Sequence, residues 1–243
     1  MAIEVDPQFE RAYMYSGISK FKLDQLEEAI VDFMKAQELD DKLSGVHDGL
    51  GQCYHKLANY EESLDSFKAA LKLEPNNVEY LRNRAACYHD QQMYEEAAGD
   101  LKRALVQNPG DPQVLYKLGL TYFADMKYKK AIKTFKEALR NKPFLTFESD
   151  IYYHIGLGYS RVQKFEKSIW PYSRCIERIP TDLRYIHERA KSYQMIEFHK
   201  EAIDDFSAVI KRNPKNAHAF FRRAFSLKAL KVSPTPQSHR VFL

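Results

Sequence analysis

The chain has only three cysteines, a single tryptophan and no apolar run near the ~18 residues that a membrane-spanning helix requires. Three cysteines cannot form the complete disulfide framework that stabilises small secreted domains. No Asn-x-Ser/Thr acceptor occurs, and the N-terminus lacks the basic start and apolar stretch of a secretory signal. We therefore expect a soluble, cytoplasmic chain whose cysteines are reduced packing residues.

Motifs of the common enzyme classes are also missing. There is no Gly-x4-Gly-Lys-Ser/Thr phosphate loop, no His-Glu-x2-His, no Cys-x2-Cys and no Gly-x-Ser-x-Gly. Two Gly-Leu-Gly segments, at residues 49–51 and 156–158, lie inside predicted helices, where glycine allows close helix packing. His154, His187 and His218 could share one face, but solvated positions explain them better than a metal site. We predict no enzymatic activity, no cofactor and no metal.

The chain does contain a pattern of 34 residues that recurs six times. In its clearest copy, residues 44–77, the marker positions are Gly51, Tyr54, Tyr60, Ser63, Phe67, Ala70 and Pro75. One step of 34 residues leads to Ala85, Tyr88, Tyr94, Ala97, Leu101, Ala104 and Pro109. Residue size and shape therefore persist from copy to copy. The last two copies follow a slip of three residues near residues 144–148.

Within a copy, the apolar residues have helical spacing. Leu115, Leu118 and Tyr122 follow an i, i+3, i+7 pattern, and a second stripe begins at Tyr128 after a turn at residues 125–127. Each copy therefore predicts a helical hairpin. Small markers let helices approach closely, and aromatic markers fill the space between hairpins. A lone hairpin would leave those rings in water, so stability should come from stacked neighbours.

Period and markers together resemble the tetratricopeptide repeat family, whose pattern is Trp-x2-Leu-Gly-x2-Tyr, then Ala-x3-Phe, then Pro. The resemblance covers residues 10–216, although no copy has the tryptophan, and the first has Lys20 for tyrosine and Asp41 for proline. It implies an all-α solenoid, a right-handed superhelix of antiparallel helix pairs. It also implies a non-enzymatic scaffold or adaptor that binds a peptide or partner protein along its concave face.

The pattern also defines the expected boundaries. The six repeats are expected at residues 10–43, 44–77, 78–111, 112–148, 149–182 and 183–216. Residues 1–9 match the end of a preceding repeat, residues 217–231 match the first helix of a seventh, and residues 232–243 are expected to be a disordered tail. Pro234 and Pro236 break the pattern where a partner helix should begin. We therefore expect a fragment or truncated isoform of a longer array.

Two repeats carry arginine where the pattern usually has leucine. Arg84 and Arg189 are each followed sixteen residues later by an aspartate, Asp100 and Asp205. A partly buried guanidinium needs a carboxylate partner, so we predict an Arg–Asp pair that joins the two helices of each hairpin. Arg223 occupies the same position of the seventh repeat, for which the pattern supplies no second helix.

The family's inner surface is built from first helices, and the resemblance carries this surface onto residues of the present chain. The predicted partner-binding residues are Arg82, Asn83, Tyr116, Lys117, Phe123, Tyr153, His154, Arg161, Arg184, Lys191, Phe221 and Arg222. Bases and aromatics dominate its second half, so we expect an acidic protein or peptide partner with apolar anchors. The alternative is that these side chains merely cover a solvated face.

Two other partner classes fit less well. The family's chaperone-tail clamp needs lysine, asparagine and arginine at set positions; Asn83 and Lys117 match, but Asp48, Gln52 and Gln113 occupy the other places. RNA is the alternative partner, because residues 76–243 carry 29 Lys/Arg against 18 Asp/Glu. The net charge of only +4 and the lack of a repeated base-reading pair disfavour nucleic acid. No membrane partner is expected.

Overall fold

The computed structural model describes residues 9–141 and 146–232, and the predictions for residues 1–8, 142–145 and 233–243 lie outside them. Within these residues all regular structure is helical, without a strand, which confirms the predicted all-α class. The helices are α1 (Glu10–Lys22), α2 (Leu26–Leu39), α3 (Ser44–Lys56), α4 (Tyr60–Leu73), α5 (Val78–Asp90), α6 (Tyr94–Gln107), α7 (Pro112–Ala124), α8 (Tyr128–Asn141), α9 (Glu148–Arg161), α10 (Phe165–Arg178), α11 (Leu183–Met195), α12 (His199–Arg212) and α13 (Ala217–Val232).

The chain forms two compact units, Met1–Met126 and Lys127–Leu243. In the first, α1 packs on α2, α3 on α4 and α5 on α6, and each of these hairpins also contacts the helix that follows it. In the second, α9 with α10 and α11 with α12 form hairpins, while α8 packs on α9 and α12 on α13. Within each unit, contacts therefore join mainly consecutive helices, with fewer between successive first helices, as expected for a repeat protein.

The core of the first unit shows why small residues recur at the marker positions. The buried Phe33 ring of α2 lies against Gly17 of α1 and Gly49 of α3. A Cβ atom at Gly17 would stand 2.9 Å from this ring, and one at Gly49 would stand 2.5 Å from it. Both distances are shorter than a van der Waals contact. Glycine at these positions therefore creates the space that the aromatic marker fills.

The second unit uses the same arrangement with different residues. The ring of Tyr172 on α10 is buried against Gly156 of α9, where a Cβ atom would lie 2.5 Å from it. Burial raises the pKa of the Tyr172 phenol far above its ordinary value. A neighbouring cluster joins Ile186 of α11, Phe206 of α12 and Ala219 of α13. Three successive helices thus share one apolar core.

The turn that follows each of the first helices α1, α3, α5, α7, α9 and α11 contains a left-handed residue that is not glycine. These residues, with their φ angles, are Asp24 (63°), Ala58 (59°), Gln92 (62°), Met126 (55°), Gln163 (59°) and Glu197 (64°). They recur every 34 residues except for the longer step from Met126 to Gln163, where the sequence slips. Glycine usually marks such positions, so the sequence carries no signal for this conformation.

Side-chain caps define where several first helices begin. The Asn77 side chain accepts hydrogen bonds from the N–H groups of Glu79 and Tyr80 at the start of α5. Asp111 does the same for α7, whose first residue, Pro112, has no N–H to satisfy. Asp182 caps α11 by accepting from the backbone N–H of Arg184.

Both predicted Arg–Asp pairs are confirmed. The Arg84 guanidinium of α5 donates to both carboxylate oxygens of Asp100 on α6, each at 2.7 Å. Arg189 of α11 donates to Asp205 of α12 at 2.9 and 2.8 Å, and it also reaches Ser173 of α10 at 2.9 Å. The guanidinium of Arg189 therefore connects three consecutive helices.

The three cysteines, Cys53, Cys87 and Cys175, are free and buried, as predicted. Burial raises the pKa of the Cys53 thiol to about 11 and that of Cys175 to about 12. A thiol with so high a pKa is almost never a thiolate at neutral pH, so Cys53 and Cys175 are packing residues rather than nucleophiles.

Candidate partner-binding surfaces

In the first unit, the predicted inner-surface residues form a polar network around a buried carboxylate. Asp48 of α3 accepts hydrogen bonds from Asn83 of α5 at 3.0 and 3.3 Å and from Gln52 at 2.6 Å. Burial raises the pKa of Asp48 to about 6, although both hydrogen bonds act in the opposite direction. Asn83, predicted to bind a partner, is therefore already engaged inside the unit.

The other predicted residues of this unit lie on α5 and α7. Arg82 donates to Gln113 of α7 at 3.2 Å. Partial burial and the nearby charge of Arg82 lower the pKa of Lys117. Tyr116 and Phe123 are half-buried on α7. The unit thus brings together Asp48, Arg82, Asn83 and Lys117, with the two aromatic residues on the same helix as the lysine.

This network bears on the chaperone-tail clamp. A clamp asparagine must donate to the carboxylate of the incoming peptide, but the Asn83 amide donates to Asp48 instead. An ionised Asp48 would also repel a peptide carboxylate at this position. The contacts therefore agree with the sequence-based argument against this partner.

In the second unit, a cleft of about 270 Å³ lies between α9, α10, α11 and α13. Its lining residues are Leu157, Ser160, Arg161, Phe165, Glu188, Lys191, Ser192, Met195 and Arg222. Three of them, Arg161, Lys191 and Arg222, are predicted partner-binding residues. The cleft therefore combines cationic side chains with an apolar wall.

The three cations of the cleft differ in how well they are paired. Lys191 donates to both oxygens of Glu188, at 3.0 and 2.9 Å. Arg222 donates through Nη1 to Gln194 at 2.9 Å, but its Nε is buried without a hydrogen-bond partner in the described part of the chain. Arg161 is exposed and makes no ion pair or hydrogen bond there. All three cations therefore retain unused donors, but only Lys191 is paired with a carboxylate.

Other predicted residues of the second unit are engaged outside this cleft. Tyr153 packs against Tyr185 with ring centroids 5.4 Å apart. Arg184 lies over the Tyr153 ring and donates to Asp182 at 2.6 Å. The ring of His154 is bonded through Nδ1 to the backbone oxygen of Asp150 at 2.7 Å.

Phe221 is the most open of the predicted aromatic residues, because 71% of its surface is exposed.

The sequence did not identify several residues that the structure brings together. Phe165 lines the cleft although it opens a second helix, so a prediction restricted to first helices omits it. His187 and His218 were expected to be solvated residues that could share one face, and the structure adds a direct contact: their rings stack at 5.1 Å with two ring nitrogens 3.1 Å apart. Their spacing of 31 residues is not a recognisable motif, so only the folded chain shows this contact.

In residues 9–141 and 146–232, no three His, Cys, Asp or Glu side chains converge in a way that could hold a metal ion. None of the helices in these two segments is long and apolar enough to cross a lipid bilayer.

Comparison with protein families decides what kind of repeat this is. Models described as "Tetratricopeptide repeat" match residues 10–43, 50–112 and 90–145. Together these matches cover more than half of the sequence. The chain belongs to the tetratricopeptide repeat family. Proteins of this family are typically non-enzymatic scaffolds.

Solved structures agree with this tetratricopeptide repeat fold. PilF of Pseudomonas aeruginosa is 18% identical, with a TM-score of 0.69 over 90% of this chain and 97% of PilF. A tetratricopeptide repeat protein of Parabacteroides merdae is 20% identical, with a TM-score of 0.69 over 91% of this chain and 87% of its own. YrrB, described as having an unusual peptide-binding site, is 22% identical, with a TM-score of 0.65 over 76% of this chain and 94% of YrrB.

A search among curated proteins found no match to this tetratricopeptide repeat chain. The solved structures show the fold, and at their low identity they do not assign a ligand. What the chain binds must therefore be argued from its own surface residues.

Proposed function

We propose that this tetratricopeptide repeat chain is a non-enzymatic protein-interaction scaffold whose second unit binds an acidic, partly apolar segment of a partner protein in the cleft. The observation that carries the proposal is the state of Arg161 and Arg222. Both guanidinium groups line the cleft, and both keep hydrogen-bond donors that no described residue uses.

The chemistry of these groups favours a carboxylate ligand. A guanidinium presents several N–H donors in a plane, which fits the two oxygens of Asp or Glu. Leu157, Phe165 and Met195 of the same cleft can cover an apolar side chain next to that carboxylate. A buried N–H without an acceptor, like the Arg222 Nε, typically costs about 1–3 kcal/mol. A ligand that rearranges Arg222 and supplies an acceptor would recover part of this cost.

The family supports a protein ligand over a small molecule. Tetratricopeptide repeat proteins are typically scaffolds, and YrrB is described as having a peptide-binding site.

The test is a binding titration with two fluorescent peptides, one alternating Leu and Glu and the other alternating Leu and Lys. We expect the acidic peptide to bind and the basic one not to. Arg161→Gln and Arg222→Gln should each weaken acidic-peptide binding about tenfold, because one charge-assisted hydrogen bond is worth roughly 1.5–3 kcal/mol. Arg174→Gln is the matched control, since Arg174 lies outside the cleft and is paired with Glu177 at 2.5 Å.

Equal binding of both peptides, or equal effects of all three arginine variants, would contradict the proposal.

A single-stranded RNA in the same assay addresses the alternative function. Lys129, Lys130, Lys133 and Lys136 are exposed along α8. RNA binding that persists at moderate salt, requires Lys129 and Lys133 and ignores Arg161 would favour RNA as the ligand instead.

A further inference from the structure

Helix α13 exposes residues whose counterparts one repeat earlier are buried. A step of 34 residues aligns Ile186, Arg189, Ala190 and Tyr193 of α11 with Phe220, Arg223, Ala224 and Leu227 of α13. Ile186 is only 5% exposed and Ala190 is fully buried. Their counterparts Phe220 and Ala224 are exposed, as is Leu227, at 41% for Phe220 and 44% for Leu227. No helix of the described residues covers this face of α13.

The helices that cover the equivalent faces share one sequence pattern. In α12, which packs on α11, the buried residues are Ala202, Asp205, Phe206, Val209 and Ile210. In α6, which packs on α5, they are Ala97, Ala98, Asp100, Leu101 and Ala104. Both helices therefore read Ala-x2-Asp-(Leu/Phe)-x2-(Ala/Val). The aspartate accepts hydrogen bonds from the arginine of the preceding helix, and the apolar residues fill the space beside this pair.

Arg223 is placed like Arg189 but lacks the carboxylate. Arg189 donates to Ser173 of the preceding second helix, and Arg223 donates in the same way to Ser207, at 3.2 Å. The Arg223 guanidinium lies 5.4 Å from the centre of the Phe220 ring. No carboxylate of the described residues reaches it. Sixteen residues after Arg223 the sequence has His239, where Arg84 and Arg189 have an aspartate.

We propose that the face of α13 formed by Phe220, Arg223, Ala224 and Leu227, here called the α13 face, docks an amphipathic helix of a partner protein. This helix carries the pattern Ala-x2-Asp-(Leu/Phe)-x2-(Ala/Val). Its aspartate binds Arg223, its large apolar residue packs against Phe220 and Leu227, and its small residues allow close approach at Ala224. The partner helix thereby takes the position that α12 has on α11. This site is separate from the cleft and does not depend on the proposed function.

Charge and shape both favour this helix over an apolar helix that lacks the aspartate. A guanidinium in the middle of an apolar face disfavours a helix without a carboxylate, because its donors would be desolvated and unpaired. A carboxylate one residue away from the correct position would miss the guanidinium, since neighbouring residues on a helix point about 100° apart. Recognition should therefore depend on the position of the aspartate as well as on net charge.

The experiment titrates the full chain with fluorescent peptides that have the sequence of residues 199–212, which contains both Asp204 and Asp205. We expect the unmodified peptide to bind. A peptide with Asp205→Asn should bind about tenfold more weakly. A peptide with Asp204→Asn loses the same charge at the neighbouring position and should bind like the unmodified one.

Variants of the protein test where on the chain the peptide binds. Arg223→Leu should weaken the unmodified peptide and abolish the difference between it and the Asp205→Asn peptide. Phe220→Ala should weaken all three peptides about equally. Phe221→Ala is the matched control, because Phe221 is more exposed than Phe220 but is not part of the α13 face. Far-ultraviolet circular dichroism and thermal melting of each variant identify any loss that is due to unfolding.

Absence of peptide binding at 100 µM, on the order of the weakest specific peptide affinities, would overturn the proposal. Equal binding of the Asp204→Asn and Asp205→Asn peptides would do the same. Sensitivity to Arg161→Gln together with insensitivity to Arg223→Leu would assign the peptide to the cleft and reject the α13 face. The cleft proposal would survive that result, so the two failures are distinguishable.

Discussion

Polar residues of the first helices make different contacts in the two units. In the first unit, Asp48 receives hydrogen bonds from Asn83 and Gln52, so the polar groups satisfy one another. In the second, Arg161 and Arg222 line a cleft and keep unused donors. Repeats of one pattern can therefore produce either a closed polar network or a cleft whose cations keep unused hydrogen-bond donors. The difference comes from which acidic, amide or basic residues occupy a few positions that the repeat pattern does not constrain.

Removal of one partner from an Arg–Asp pair should have the largest effect on stability. Asp100→Ala leaves the Arg84 guanidinium largely buried and unpaired, which we expect to lower the free energy of unfolding by about 3–5 kcal/mol. Asp205→Ala in the second unit should cost less, because the side chains of Arg189 and Asp205 are more exposed than those of Arg84 and Asp100. Urea denaturation of both variants measures the difference.

A double variant provides the control for this prediction. Arg84→Leu with Asp100→Ser reproduces the natural combination of Leu50 and Ser66, which stand sixteen residues apart in the second repeat. We expect it to be nearer to the wild type than Asp100→Ala alone, since it buries no unpaired charge. A double variant as unstable as the single one would show that the pair is not the source of the loss.

Glycine substitutions should have an intermediate effect and test whether the two cores are equally tight. A Cβ atom at Gly51 would lie 2.7 Å from the Phe67 ring of the first unit, and one at Gly156 would lie 2.5 Å from the Tyr172 ring of the second. Both rings are fully buried, so we expect Gly51→Ala and Gly156→Ala each to destabilise by about 1–3 kcal/mol.

Gly99→Ala is the matched control, because its added Cβ would meet no atom within 4 Å apart from its chain neighbours and the adjacent backbone of α6. Gly99 lies inside α6, where alanine is the better helix former by roughly 1 kcal/mol. We expect this variant to melt at a higher temperature than the wild type. Destabilisation by all three substitutions would argue against ring contact as the cause.

Asp48→Asn should have the smallest effect and the most informative pH dependence. The pKa of Asp48 is about 6 in the folded chain and 3.8 without its environment, so the folded state binds more protons between these pH values. The contribution of Asp48 to the free energy of unfolding therefore falls as pH rises from about 4 to 6. Asparagine avoids this loss, so the variant should be more stable than the wild type by about 1–2 kcal/mol at pH 7.5.

The gain should nearly vanish at pH 4, where Asp48 is protonated in the folded chain. Urea denaturation at both pH values measures it. Asp65→Asn is the control, since Asp65 is an exposed aspartate paired with Lys68 at 2.9 Å. A gain of equal size in both variants, or at both pH values, would assign it to net charge rather than to burial of Asp48.

Much of the fold could be predicted because it rests on local and periodic information. The marker residues specify where small and aromatic side chains must meet, and the contact of Phe33 with Gly17 is one such meeting. The Arg84–Asp100 pair was predictable because a charge that replaces a core leucine must find a partner at a fixed helical distance. Hairpins, paired charges and buried thiols all follow from such short-range rules.

The candidate site was less predictable, because it depends on which variable residues meet across different repeats. His187 and His218, or Asn83 and Asp48, are separated by more than thirty residues and belong to no motif. Phe165 was missed because it belongs to a second helix. The left-handed turn residues were missed because none of them is glycine, the residue that usually marks this conformation at the end of a helix.

By itself the sequence determined the repeat family, the helix order and the residues at the core markers, since all of these depend on spacing along one chain. The tertiary structure alone decided which polar groups are satisfied and which are left available. That distinction arises because the hydrogen-bond partners of each helix, and the surfaces that cover its side chains, belong to neighbouring helices. The tertiary structure places Asp48 in a closed hydrogen-bond network and places Arg161 and Arg222 in the lining of a cleft. In the described residues it leaves the α13 face uncovered.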